Sequence, residues 1–268
     1  MKIAAAQIDC ALGDIDANVR KMRDFASRAK EASADLVVFP EMADTGYSMP
    51  VIQKHATAWT EGAVPQLQDV AKTLRLGIVS GVSERDGESI YNSQVSIDAS
   101  GQIAAKYRKT HLFSPPPIEE HKCFAPGDEL VSYAAGGLCL GLTICYDLRF
   151  PEVYRTLACN KGVNVFIISS AWPFPRLEHQ RVLATARAIE NQSFVILSNR
   201  VGKDEGVPFC GSSAIIDAYG VVVAAASADR EELIVGEVSE EVISSVRDRM
   251  GVFEHRRPGV YGKGRDAG

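Results

Sequence analysis

The run VNVFIISS (163–170) shows almost no alternation between polar and apolar side chains. A strand of that kind is stable only where both of its faces are covered, inside a parallel or mixed sheet flanked by other layers. Similar runs recur as KIAAAQI (2–8), DLVVF (35–39), LGIVSGVS (76–83), LCLGLTI (138–144) and SFVILSN (193–199). Segments of helical period lie between them. Residues 17–33 place Val19, Met22, Phe25, Ala26 and Ala29 on one face, and residues 66–76 do the same with Leu67, Val70, Ala71 and Leu74. Further helices are expected over 152–161, 177–191 and 239–249. IYNSQVSID (90–98) with QIAAKY (102–107), and LVSYA (130–134) with LCLGLTI, read as hairpins. SSAIIDA (212–218), VVVAAAS (221–227) and LIVGEV (233–238) supply the last strands. With no linker, repeat or low-complexity segment, the expectation is one α/β domain over 1–268, its mixed sheets covered by helices.

Several function classes fall away on composition. A net charge of -5 leaves no basic surplus for neutralising nucleic-acid phosphates. No apolar run reaches the roughly 18 residues of a membrane span. MKIAAAQIDC faintly mimics a lipoprotein signal, but Gln7 interrupts its apolar stretch and Asp9 stands where a small residue is required. A first strand, and a cytoplasmic protein, are expected instead. The six cysteines (10, 123, 139, 145, 159, 210) form no CxxC and no His-containing ligand spacing. Neither a disulfide framework nor a zinc site is expected, and no metal or other cofactor.

Three strand ends carry groups with chemistry. DLVVF runs through Pro40 into Glu41, AAKYR runs into Lys109, and LGLTI runs into Cys145. Ligand sites of α/β sheets lie beyond the carboxyl ends of strands. A thiol needs a base or a nearby cation to become a nucleophile, a carboxylate in a dry pocket can take its proton, and an ammonium can steady an oxyanion. Each residue also has a plain reading: Cys145 as a core hydrophobe, Glu41 as a helix N-terminal carboxylate, Lys109 as a solvated lysine. The segment 108–129 has no periodicity and holds three consecutive prolines, 115–117. A loop that long within a compact domain is usually functional or disordered.

FPE (39–41), YRKTHLF (107–113) and ICYDLRFPE (144–152) resemble the three signature blocks of the carbon–nitrogen hydrolase, or nitrilase, superfamily, in its order and spacing. TGY (45–47), EHKCFAPGDE (120–129), RAIENQSFV (187–195), GSSAIIDAYG (211–220) and VFEHRRPGVY (252–261) extend the resemblance over nearly the whole chain. It implies a four-layer α-β-β-α sandwich without metal or cofactor. It implies Glu41 as general base, Lys109 as oxyanion stabiliser, Cys145 as nucleophile and the Tyr146 N–H as a second oxyanion donor. Glu120 would be the second glutamate, orienting Lys109; it fits better than Glu119 because E-x-x-x-F-x-P-G runs from it to Gly127. The implied reaction is attack of the thiolate on a carboxamide, loss of ammonia, and hydrolysis of the thioester by water. A Cys–His arrangement using His111, His121 or His179 lacks any supporting block around Cys145. Asp147, Arg149 and Glu152 are expected to form an ion-pair network beneath the elbow.

SSAWPFPRLEH (169–179) follows a strand end and should line the same crevice. It resembles the ω-amidase branch, which acts on the monoamides 2-oxoglutaramate and 2-oxosuccinamate. A cation is then needed at the far end, and Arg176 is the candidate carboxylate clamp; its alternative is a cap or ion pair on the helix from Leu177. Tyr47, Ala171 and Trp172 would complete the pocket. General aliphatic amidase, N-carbamoyl amidohydrolase and nitrilase share the triad, and a silent scaffold of the same fold is the non-enzyme alternative. The resemblance also implies a homodimer or larger even assembly through 152–161 and 177–191, with the tail from about 250 reaching over the partner.

Overall fold

The computed structural model describes residues 1–261. Two six-stranded sheets stack face to face. The first runs, in spatial order, β14 (Glu232–Glu237), β1 (Lys2–Gln7), β2 (Leu36–Val38), β3 (Gly77–Asp86), β4 (Ser89–Ile97) and β5 (Ile103–Arg108). The second runs β13 (Val222–Ala225), β12 (Ala214–Ile216), β9 (Phe194–Asn199), β8 (Val165–Ser170), β7 (Leu138–Ile144) and β6 (Ser132–Ala135). The centres are parallel, β1–β2–β3 in one and β7–β8–β9 in the other, with antiparallel hairpins at the edges.

Strand alternation builds the layers. Ile3, Ala5, Leu36, Val38 and Val79 point at the second sheet and share a core with Leu142, Ile144, Ile167 and Ile196. Ala4, Ala6, Val37 and Ile78 point the other way, onto Met22 and Phe25 of α1 (Ile15–Glu31) and Leu67 and Val70 of α3 (Ala63–Leu74). On the opposite outside, α4 (Pro151–Lys161) and α5 (Leu177–Asn191) cover the second sheet, with Tyr154, Leu157, Ala184 and Ala188 in its core. The result is the four-layer α-β-β-α sandwich. Every central strand is buried on both sides, which is why the sequence shows runs rather than alternation. Among the described residues no helix is long and apolar enough to cross a membrane.

Some boundaries differ from the sequence reading for local reasons. Helix α1 starts two residues early because the Asp14 side chain accepts from Ala17 N (2.9 Å) as an N-cap. Helix α3 stops at Leu74 because Arg75 adopts a left-handed conformation, releasing Leu76 toward β3. Three elements have no counterpart in that reading: α2 (Met49–His55), which buries only Ile52, and the two-residue strands β10 (Lys203–Asp204) and β11 (Val207–Pro208). Helix α6 (Glu240–Arg249) matches. Beyond it, Phe253 lies under the guanidinium groups of Arg155 and Arg247 (5.5 and 5.2 Å), followed by α7 (Pro258–Tyr261). That stretch is a turn and a helical turn rather than an extended arm, and the rest of the expected tail, 262–268, lies outside the described residues.

At one end of the sandwich the backbones of β2 and β3 meet closely. A Cβ on Gly81 would stand 2.5 Å from Glu41 Cα and 2.6 Å from the Pro40 carbonyl oxygen, both rigid backbone atoms. Gly81→Ala should therefore destabilise the protein by about 1–3 kcal/mol in urea unfolding and displace Glu41. A variant as stable as wild type would show that the strand end yields freely.

Candidate active site

Pro40 has no N–H to continue the β2 ladder, so the chain turns there and delivers Glu41 into the gap between the sheets. Lys109 follows directly on β5, its backbone N still donating to Asn92 O on β4 (2.8 Å). The segment 108–129 is ordered. It folds back so that Glu120, in a single 3-10 turn, receives the Phe113 N–H on Oε2 (2.6 Å). Glu41, Lys109 and Glu120 are all fully buried.

The Lys109 ammonium lies between the two carboxylates, 2.8 Å from Glu41 Oε1 and 2.9 Å from both oxygens of Glu120. Four further hydrogen bonds hold these acids. Asn92 Nδ2 donates to Glu41 Oε1 (2.7 Å) and to Glu120 Oε1 (2.8 Å). The Tyr47 hydroxyl donates to Glu120 Oε1 (2.7 Å), and the Ala171 N–H to Glu41 Oε2 (2.8 Å). Burial alone would push the Lys109 pKa down, but the charges of Glu120 and Glu41 outweigh it and hold the ammonium firmly protonated. Burial, with the nearby charge of Glu120, raises the pKa of Glu41 against the opposing pull of Lys109. Such a carboxylate is a better proton acceptor than an exposed one.

Cys145 ends β7 and starts a 3-10 turn, Cys145–Arg149, with φ of 41°. A non-glycine residue in the left-handed region is held there by its surroundings. The constraint is Asp147, which is buried and accepts from Ile144 N (2.9 Å), the Tyr107 hydroxyl (2.7 Å) and His111 N and Nδ1 (3.2 and 2.9 Å). One carboxylate thus ties the cysteine elbow to the strand and loop that carry Lys109. As first-turn groups, the Cys145 and Tyr146 N–H groups have no acceptor within the turn. Burial, then the charge of Glu41, raises the thiol pKa well above its ordinary value.

Cys145 opens into a narrow pocket whose cavity volume is about 20 Å³, room for a single water molecule. Tyr47, Tyr146, Ala171, Trp172 and Arg176 line it, joined by Phe113, Ile118, Pro173 and Arg149. The Arg176 guanidinium lies 5.3 Å from the centre of the Phe113 ring, and that of Arg149 lies 4.8 Å from the Trp172 ring. Neither pairs with a carboxylate among the described residues. A Trp172 Nε1 bond to the Arg176 carbonyl (2.8 Å) fixes the backbone there. Every residue proposed for the site from sequence therefore converges on one end of the sandwich.

The carbon-nitrogen hydrolase family profile matches residues 2–248. The chain belongs to the carbon-nitrogen hydrolase family. It is 37% identical to the 2-oxoglutaramate amidase of Bacillus subtilis over 97% of this chain and 98% of that one. It is 33% identical to a nitrilase of Pyrococcus abyssi over 97% and 99%. The solved NitN amidase of Nesterenkonia sp. AN1 superposes with a TM-score of 0.88 at 26% identity, covering 98% of both chains. The protein is thus a hydrolase of carbon–nitrogen bonds in non-peptide amides, on a fold shared with the nitrilase superfamily.

Two features of this carbon-nitrogen hydrolase were not read from its sequence. Asn92 bridges both glutamates; its cue is an asparagine inside a strand, where that residue is uncommon. The expected network of Asp147, Arg149 and Glu152 is different. Asp147 pairs with His111, Arg149 faces the pocket, and Glu152 is exposed in the first turn of α4, where a carboxylate complements the helix dipole. His111 is occupied by Asp147 and stacked on Phe150 at 3.8 Å, and no histidine hydrogen-bonds Cys145 among the described residues.

Proposed function

We propose that the protein is a cysteine-dependent amidase in which Cys145 is the nucleophile, Glu41 the general base, Lys109 the oxyanion stabiliser and Glu120 the residue that orients Lys109. The observation that carries this reading is the fully buried Lys109 ammonium clamped between Glu41 and Glu120, whose partners Ala171 and Tyr47 line the pocket that Cys145 opens into. The buried thiol, resistant to ionising alone, loses its proton to Glu41 as sulfur attacks the amide carbon. Negative charge develops on the carbonyl oxygen, opposite Lys109 Nζ and the Tyr146 N–H. Glu41 passes the proton to the leaving nitrogen, ammonia departs, and water, deprotonated by Glu41, cleaves the thioester. A solved variant of the Nesterenkonia amidase carries acrylamide added at its active-site cysteine, which supports the sulfur as the reactive atom here.

The substrate reading is a monoamide of an α-keto dicarboxylic acid, as in the relative named 2-oxoglutaramate amidase. Two guanidinium groups without carboxylate partners, Arg176 and Arg149, face the pocket, and a substrate carboxylate would satisfy them. Ammonia release should be fastest from 2-oxoglutaramate among a panel with glutamine, an N-carbamoyl amino acid, a simple aliphatic amide and a nitrile. A faster member of that panel replaces this substrate reading with its own class. Cys145→Ala should abolish turnover of every member; release at the wild-type rate would remove the nucleophile assignment and favour a scaffold. Arg176→Ala should cost roughly 1.5–3 kcal/mol, a 10- to 150-fold loss in kcat/KM, for the keto-acid monoamide and little for a neutral amide. Equal losses on both would mark Arg176 as structural.

The assembly is proposed to be a homodimer or larger even oligomer in the cytoplasm. Val182 and Ile189 on α5 are 63% and 51% exposed beside Val222 of β13, an apolar face that suits a second copy. The six free thiols fit a reducing compartment. Sedimentation velocity should show an even-numbered species that Val182→Glu dissociates; a monomeric wild type would end this reading.

A further inference from the structure

Asn92 sits on β4 with its side chain fully buried against the charged cluster. Its Nδ2 group spans Glu41 Oε1 (2.7 Å) and Glu120 Oε1 (2.8 Å), so the two hydrogens of one amide serve two carboxylates. Its Oδ1 is buried without a partner among the described residues, so the carboxylates alone decide which way the amide faces. The two oxygens of Glu41 are consequently unequal. Oε1 accepts from both Asn92 and Lys109 Nζ (2.8 Å), whereas Oε2 accepts, among the described residues, only the Ala171 N–H (2.8 Å).

We propose that Asn92 is a positioning residue that locks Glu41 Oε1 as a permanent acceptor and so assigns proton transfer to Oε2. A proton on Oε1 would face the hydrogens of Asn92 and Lys109 at hydrogen-bond distance, donor against donor. Oε2 keeps a free lone pair, because a carboxylate oxygen accepts two bonds and only one is used. It also lies against Ala171, which shares the pocket wall with Cys145. In the acylation step the S–H bond breaks and an O–H bond forms at Oε2. Sulfur bonds to the carbonyl carbon, and the C=O electron pair moves onto oxygen. The same proton then leaves Oε2 for the amide nitrogen as the C–N bond breaks, releasing ammonia. In addition, the amide separates two like-charged carboxylates that have only one ammonium between them.

The ionised form of Glu41 is influenced by Lys109 at the end of β5, Glu120 and Tyr47 from the flanking loops, and Cys145 from the elbow. Asn92 is the member of this set that does not titrate, and its hydrogen bond favours the carboxylate. Removing it raises the pKa of Glu41, so a base that must be ionised is lost at higher pH. Asn92→Leu keeps the approximate size and deletes the donor. In profiles of kcat/KM against pH, its acid limb should move up by about one unit relative to wild type, with the alkaline limb in place. The loss should thus approach tenfold on the acid side and shrink toward neutral pH. A limb that stays in place, or a loss uniform across pH, would overturn the proposal. If Asn92→Leu does not fold, Asn92→Ala, which also lacks the donor, carries the same expectation. The proposal rests on Glu41 being the base, and Glu41→Gln separates the two. An active Glu41→Gln enzyme removes the base assignment and this proposal with it. An inactive one, alongside an unmoved limb in Asn92→Leu, removes only the role of Asn92.

Discussion

The buried ammonium of Lys109 is the interaction on which the rest of the structure depends. Taking a lysine and two glutamates out of water costs several kcal/mol per ion. The attraction among them offsets that cost only if the geometry is tight and the remaining lone pairs are satisfied. Here they are: Asn92, Tyr47, the Phe113 N–H and the Ala171 N–H all donate into the cluster. These donors come from β4, a loop after β2, the 108–129 loop and the end of β8. The cluster is therefore stable only once both sheets are assembled, and the fold and the site form together.

A second tier of contacts holds those donors. The Tyr47 N–H donates to Asp204 Oδ2 (2.8 Å), and Asp204 pairs with the fully buried Arg200, which lies over the Phe209 ring at 4.4 Å. Phe209 in turn meets Tyr47 edge-on at 6.1 Å. The small β10–β11 ribbon thus supports a tyrosine that touches Glu120. Asp147 plays the matching part for the nucleophile, joining the elbow at Ile144 to Tyr107 and His111. Across the gap between the sheets, Gln94 donates to Ser169 Oγ (2.8 Å), which donates to Phe39 O (2.7 Å) and fixes the strand end that presents Glu41. Preorganisation of this kind keeps donors aimed at charge that develops only during the reaction.

The sandwich was legible because its causes are local and repetitive. Doubly covered strands must be apolar throughout, and surface helices must carry one apolar stripe, so VNVFIISS and residues 17–33 declare their environments. Short elements were not legible. Helix α2 buries one residue, and β10 and β11 have two residues each, too few to carry a period. The loop 108–129 has no period either, and its order comes from long-range bonds such as Gly127 N to Lys109 O (2.8 Å).

The sequence by itself determined that mixed sheets are covered by helices, and its blocks singled out Glu41, Lys109, Cys145 and Glu120, because each stands at a strand end or in a block of recognisable spacing. Only the tertiary structure decided how they are wired. That Asn92 bridges two carboxylates, that Asp147 answers to His111 rather than Arg149, and that Arg149 joins Arg176 at the pocket wall are relations between residues 27 to 51 positions apart. Hydrogen bonds and ion pairs act over a few ångströms, and which groups come that close is fixed by strand register and sheet stacking, which single-residue patterns do not encode.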